Sequence, residues 1–245
     1  MSTPALPLLP LQGDPGAHPD SPPNDGQSRP HAPRPLTPLE LKRLDIYMFG
    51  SPKEARVVAV HGPLQLAIRL QLEFDPQVTA VVERPRRLEV GLSSRELHFW
   101  WRYKNGREHY ALVFSDEETT PGSDGRRRPR EVERLRQAAE AAGVQLLLLT
   151  EDDILHPEMR TELCFHLLGF TQSVDSLDSA AVICHSVAQV MRRGIRMAIR
   201  DLGAELSHVP ITHLRIAIAH LLHIGLLQTD AKRRMDDRSI IWRAQ

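Results

Sequence analysis

The chain predicts an α/β domain over residues 38–150 and an α-rich, winged-helix-like domain over residues 151–245. Three observations carry that expectation. Between residues 56 and 149, β-branched and aromatic runs are interleaved with helical stretches, the pattern of a sheet flanked by helices. Asn105-Gly106 separates two such runs and is a strong hairpin signal. From residue 195 onward the order is helix, turn, helix, strand, turn, strand, which is that of a winged helix.

Taken in order, residues 1–37 are Pro-rich and polar, so a disordered tail is expected there. Thr37-Pro38-x-Glu40 is a helix-start pattern. Residues 56–60 read as a strand. Apolar Leu64, Leu66, Ile68, Leu70, Leu72 and Phe74 alternate with other residues, which by period alone argues a strand. Residues 77–83, 87–91, 96–103 and 109–115 are strand candidates, and 119–130, rich in Gly, Pro and Arg, is a loop candidate. Residues 131–142 form an amphipathic helix stopped at Gly143, and 144–149 an apolar strand. In the second unit, residues 195–206 predict one helix and 212–223 another, stopped by Gly225. Residues 226–230 and 238–242 are then short strands around a polar turn. Phe99-Trp100-Trp101, on a central strand, reads as core rather than a base-stacking platform.

Lys plus Arg and Asp plus Glu both number 31, so net charge gives no pull toward nucleic acid and any such contact must be local. Cys164 and Cys184 are too few for a disulfide framework and read as buried free thiols. No apolar run spans a bilayer and no secretory signal is evident, so a cytoplasmic protein with no membrane partner is expected.

Residues 70–85, LQLEFDPQVTAVVERP, join a helix end, a Phe-Asp-Pro turn and a β-branched run closed by Arg-Pro. With Ser51-Pro52-Lys53 and Arg56 ahead of them, they resemble the N-terminal domain of the TnsA-like transposon endonucleases. These are restriction-enzyme-type nucleases that cut one strand at each transposon end. The resemblance covers roughly residues 38–150, extends to the winged-helix C-terminal half, and implies a restriction-endonuclease-like (PD-(D/E)XK-type) mixed sheet. It also implies a helix over residues 64–74, and a helix is the expectation there.

Such nucleases place a Glu on a helix, an Asp on one strand and Glu-x-Lys on the next, and the carboxylates hold divalent metal. Counting from Glu73 and from Asn105-Gly106 puts Gln65, His98, Val113 and Ser115 at those positions. The resemblance thus implies a nuclease scaffold with a degenerate catalytic motif, no catalytic residue and no cofactor. Magnesium would enter only if displaced carboxylates, Glu96 and Asp116 with His98, rebuilt a site. These acids also suit solvated strand ends, which is the simpler reading.

His208, His213, His220 and His223 cluster in sequence but lack acidic or Cys partners at metal-like spacing, so they read as surface histidines. Basic runs occur at 84–87, 126–130, 192–200 and 232–238. The last would lie in the wing, so Lys232, Arg233, Arg234 and Arg238, with Arg215 on the preceding helix, are the candidate DNA-binding residues. The expected function is a catalytically inactive TnsA-like accessory protein of a mobile element that binds DNA, a transposase or an ATPase partner. An active nuclease with a relocated metal site is one rival. A winged-helix regulator or protein-docking module is the other.

Overall fold

The computed structural model describes residues 31–123, 125–156, 160–191 and 196–244. Residues 1–30 of the expected tail lie outside these, as do Arg192, Arg193 and Ile195. α1 (Pro38–Arg43) starts at the expected place, with Thr37 and Glu40 capping each other reciprocally. β1 (Ile46–Ser51), not foreseen from the sequence, pairs antiparallel with β2 (Arg56–His61).

α2 (Gly62–Phe74) is a helix, against the period-two alternation of its apolar residues. The alternation misleads because the intervening Gln65, Arg69, Gln71 and Glu73 are buried too. Each hydrogen-bonds within the protein, so polarity here does not mark a solvent face.

β3 (Val78–Glu83) and the hairpin of β4 (Arg87–Val90) with β5 (Ser93–Glu96) follow. The run expected as one strand over residues 96–103 is split: Leu97 and His98 cross from β5 to β6 (Phe99–Tyr103). β7 (Glu108–Phe114) returns antiparallel to β6 across Asn105-Gly106. The expected loop over residues 119–130 contains a small hairpin of β8 (Thr119–Pro121) and β9 (Arg127–Pro129). α3 (Val132–Ala141) and β10 (Leu146–Thr150) close the first unit.

The main sheet runs β10-β7-β6-β3, and β10 with β7 is its parallel pair. One face, with Phe99, Trp101, Ala111 and Val113, packs with residues of α2 and β2. The other, with Trp100, Tyr110 and Leu112, packs with Leu88, Val90 and Leu135. Phe99, Trp100 and Trp101 are therefore core, as their place on a central strand dictates.

α4 (Glu151–Ile154), α5 (Thr161–Gln172) and α6 (Ala180–Met191) lead into the second unit. The single helix expected over residues 195–206 is instead β11 (Met197–Ala198) followed by α7 (Ile199–Glu205). Met197 and Ala198 pair with Ile241 and Ile240, and sheet pairing overrides local helix preference. α8 (Ile211–His223), β12 (Leu227–Thr229) and β13 (Ile240–Arg243) complete the chain, with strand order β11-β13-β12. The molecule is thus a mixed α/β protein with a mixed sheet and flanking helices. Among the described residues no helix is long and apolar enough to cross a membrane.

The last residues of the expected tail are tied down. His31 Nε2 lies 2.7 Å from Tyr110 Oη. Arg34 donates to Glu96 and to Glu40, and exchanges backbone contacts with Arg84. Cys164 is buried and Cys184 partly so, both free; burial raises both thiols, Cys164 to about 12.

Candidate functional site

Gln65 lies in the first turns of α2, His98 just before β6, Val113 near the end of β7 and Ser115 just after it, and a hydrogen bond brings His98 and Val113 together. Each is committed to a local structural bond. Gln65 Oε1 accepts the N–H of His61, the residue that precedes α2. His98 Nδ1 accepts the Val113 N–H at 2.8 Å. Val113 is buried in the apolar core between α2 and the sheet. Ser115 caps the 3-10 turn over residues 116–118, and its N–H and Oγ both face Glu118. Desolvation draws the His98 imidazole down to about 4, with Glu118 and Glu96 opposing and His61 adding to the fall. His98 is therefore neutral near pH 7, and its acceptor nitrogen is already used.

The rim is arginine-rich. Arg84, at φ 50°, donates its N–H to the His98 carbonyl and its guanidinium to the Arg34 and Ala59 carbonyls. Glu96 is held by Arg34 and Asp116 by Arg127 Nε at 3.1 Å. Neither carboxylate is set to join His98. Among the described residues no group of three or more His, Cys, Asp and Glu is placed to hold a metal ion.

The residues that carry the family likeness converge elsewhere, in a buried ion network. Arg69 is wholly buried between Glu73, 2.8 Å from Nη1, and Glu83, 2.8 Å from Nε. Ser51 Oγ donates to Glu73 at 2.6 Å, and the Lys53 N–H to the other oxygen at 2.8 Å. Arg56 reaches Glu83 at 2.7 Å. Lys53 Nζ donates to the carbonyls of Leu72 and Asp75 at the end of α2; desolvation lowers this amine to about 8. From the second unit, His223 Nε2 donates to Glu73 Oε1 at 3.0 Å. Burial alone would raise the Glu73 carboxyl, but His223, Arg69 and Ser51 hold it at about 2.

Sequence reasoning quoted Ser51, Lys53, Arg56 and Glu73 but not this convergence, and it read His223 as a surface residue. Arg69 and Glu73, four apart on a helix, were the available signal. His223 left none, because its partner lies 150 residues away.

In the second unit, the turn over residues 230–239 is held by its own hydrogen bonds. Ala231 and Met235 are buried in the helical core. Asp236 accepts from the N–H groups of Arg238 and Ser239, and Asp230 from that of Ile240. Lys232, Arg233, Arg234 and Arg238 are exposed on it. Arg233 lies 3.6 Å from Glu162, an exposed pair of small energetic weight. Arg215 donates to Asp237, a residue of that turn, at 2.6 Å. α8 itself is the central helix of its unit, with Leu214, Ile216, Ala217, Ile218, Ala219 and Leu221 all buried. No family model and no curated protein matches this chain.

Proposed function

We propose that the chain is a non-cleaving, TnsA-like accessory protein of a mobile element that contacts DNA through its wing. The observation that carries this reading is the fate of the four motif positions. Gln65 is on a helix, His98 precedes one strand, Val113 is on the next and Ser115 follows it, an order compatible with the resemblance. Yet the donor set does not suit a hard divalent cation, which needs several oxygen ligands at a shared point. Gln65 and His98 spend their acceptors on backbone N–H groups, Val113 is apolar and Ser115 is a cap.

DNA binding is supported by the second unit. Its order of helix, strand, helix, helix, strand, wing and strand, with the β11-β13-β12 sheet, fits a winged helix. The exposed wing cations suit phosphate. A second reading is favoured by one observation: Arg215 is paired with Asp237, and the start of α8 offers exposed Ile211 and Thr212 rather than cations. A helix end of that kind suits a protein partner such as a transposase or ATPase.

Gel shifts over a salt series separate the two. With Lys232→Ala, Arg233→Ala and Arg234→Ala combined, DNA binding should weaken across all sequences and lose salt dependence. Unchanged binding would leave the docking reading. Supercoiled plasmid should not be nicked with magnesium or manganese by the wild-type chain. Nicking that survives in His98→Ala would place active chemistry elsewhere and overturn the non-cleaving reading.

A further inference from the structure

The hairpin of β1 and β2 has two outer edges, and they are treated differently. Asp45 accepts the Gly62 N–H, so the register makes Tyr47, Phe49 and Ser51 the residues of β1 that bond β2. Val57 and Ala59 of β2 turn their carbonyls away from β1, and Arg56 and Arg84 donate to them. The β3 edge is closed in the same way: Val81 gives its N–H to Glu54, and Arg56 donates to its carbonyl. On β1, Ile46, Met48 and Gly50 turn their backbone groups outward. Gln172 donates to the Gly50 carbonyl at 2.8 Å. The N–H and C=O groups of Ile46 and Met48 meet no partner among the described residues.

Proteins guard open edges with charge, proline or a bulge. β1, Ile-Tyr-Met-Phe-Gly-Ser, carries none of the first two, and its register with β2 is unbroken. Its surroundings are apolar as well. Met48 and Val57, on the outer face of the hairpin, are 65% and 62% exposed. Leu39 and Leu41 on α1, just ahead of β1, are exposed too, and α1 buries no residue. Exposed apolar side chains gathered beside an unguarded edge mark an interaction surface.

We propose that β1 pairs with β1 of a second copy of this chain, antiparallel about a twofold axis at Tyr47. Ile46 of each copy then faces Met48 of the other, and each pair exchanges both backbone bonds. The two hairpins become one four-stranded sheet. The size of the open edge selects a folded partner. It spans residues 46–48, between Leu44, whose N–H is bonded to Glu40, and Gly50, which Gln172 holds. A loose peptide would gain few bonds there against the entropy of ordering it. A strand already fixed in a fold has lost that entropy beforehand. β1 is such a strand, uncharged and of matching length, so pairing it with itself sets no charge against apolar surface. The formal net charge of the chain is zero, so two copies approach without net repulsion. The pairing does not depend on the DNA reading.

The test is sedimentation velocity of the full chain over a wide range of concentration. The wild type should pass from monomer to dimer. Hydrogen exchange should show the Ile46 and Met48 amides, open in the monomer, gaining protection as the dimer fills. Met48→Lys and Met48→Glu, at an exposed side chain, should fold like the wild type and each weaken association by at least about tenfold. Mixing the two variants should restore the dimer, because position 48 of each copy is a diagonal neighbour of position 48 in the other and opposite charges then meet. Leu92→Lys removes an exposed leucine from the turn between β4 and β5 and should leave association unchanged. A chain that stays monomeric throughout, association undiminished in both Met48 variants, or a mixture no better than its components would each overturn the proposal. So would equal loss in Leu92→Lys, or Ile46 and Met48 amides that exchange alike in monomer and dimer.

Discussion

A single imidazole illustrates how a buried titratable group is tied into this fold. Under the proposed function His98 takes the place of a carboxylate, and its Nδ1 accepts the Val113 N–H. Protonating that nitrogen would break the bond and place a charge where desolvation already opposes it. Its folded-state value, about 4, lies below the ordinary 6.5, so the unfolded chain binds more protons between those two values. The stabilisation is full above pH 6.5 and is lost as pH falls through that window. His98→Asn can still accept the Val113 N–H and does not titrate. Between pH 7 and pH 4 the wild type should lose roughly 2–3 kcal/mol more than this variant, read by urea unfolding at both values. Equal losses would show that His98 is solvated and free to ionise. The proposed correspondence of His98 with a carboxylate position comes from counting back from Asn105-Gly106; the bond to Val113 is not legible in sequence, because it depends on the register of two strands.

At the scale of elements, legibility followed how local the governing interaction is. The Asn105-Gly106 hairpin, the α1 cap and the stops at Gly143 and Gly225 were readable because each is decided within a few residues. β1, β11 and the β8–β9 hairpin were missed because pairing with another segment creates them. The helical state of α2 needed the family likeness, since its buried polar residues imitate a strand pattern. The two helix-stopping glycines now differ in a way sequence does not reveal. Gly143, at φ 65°, faces open space, whereas a Cβ on Gly225, at φ 78°, would lie 2.4 Å from Pro76 Cβ. Gly143→Ala should cost about 1–2 kcal/mol for the left-handed backbone alone. Gly225→Ala should cost roughly 1–3 kcal/mol beyond that, because α8 must move away from the turn after α2. Paired denaturant melts check this, and equal costs would mean that the Pro76 contact is loose.

Across the whole molecule, the two units are joined by contacts of different kinds. Leu70 packs on Cys164 and Leu168, Gln71 reaches Thr161, and His223 reaches Glu73. The ion network sits on that seam, so its members serve two packing surfaces at once. Removing one partner would strand a buried charge. The first unit has a further tie in the segment before α1. Composition alone assigned residues 31–37 to a tail, because proline and charge are read there without their partners. In the structure Arg34 bridges Glu40 and Glu96, two carboxylates far apart in sequence, while Arg84 Nε donates to its carbonyl. His31 meets Tyr110 Oη and lies edge-on to the Trp100 ring. A chain beginning at Pro38 would leave Glu96 without Arg34, and Tyr110 and Arg84 each without one of these partners. These groups are only partly buried, so water recovers some of the loss, and the cost should be roughly 1–3 kcal/mol. For a protein of this size that corresponds to a melting temperature lower by about 2–10 °C than that of a chain beginning at His31. Arg34→Ala in the longer chain should reproduce most of the difference, since Arg34 makes most of the bonds. Identical melting of the two chains would return residues 31–37 to the tail and leave Glu96 free to act beside His98.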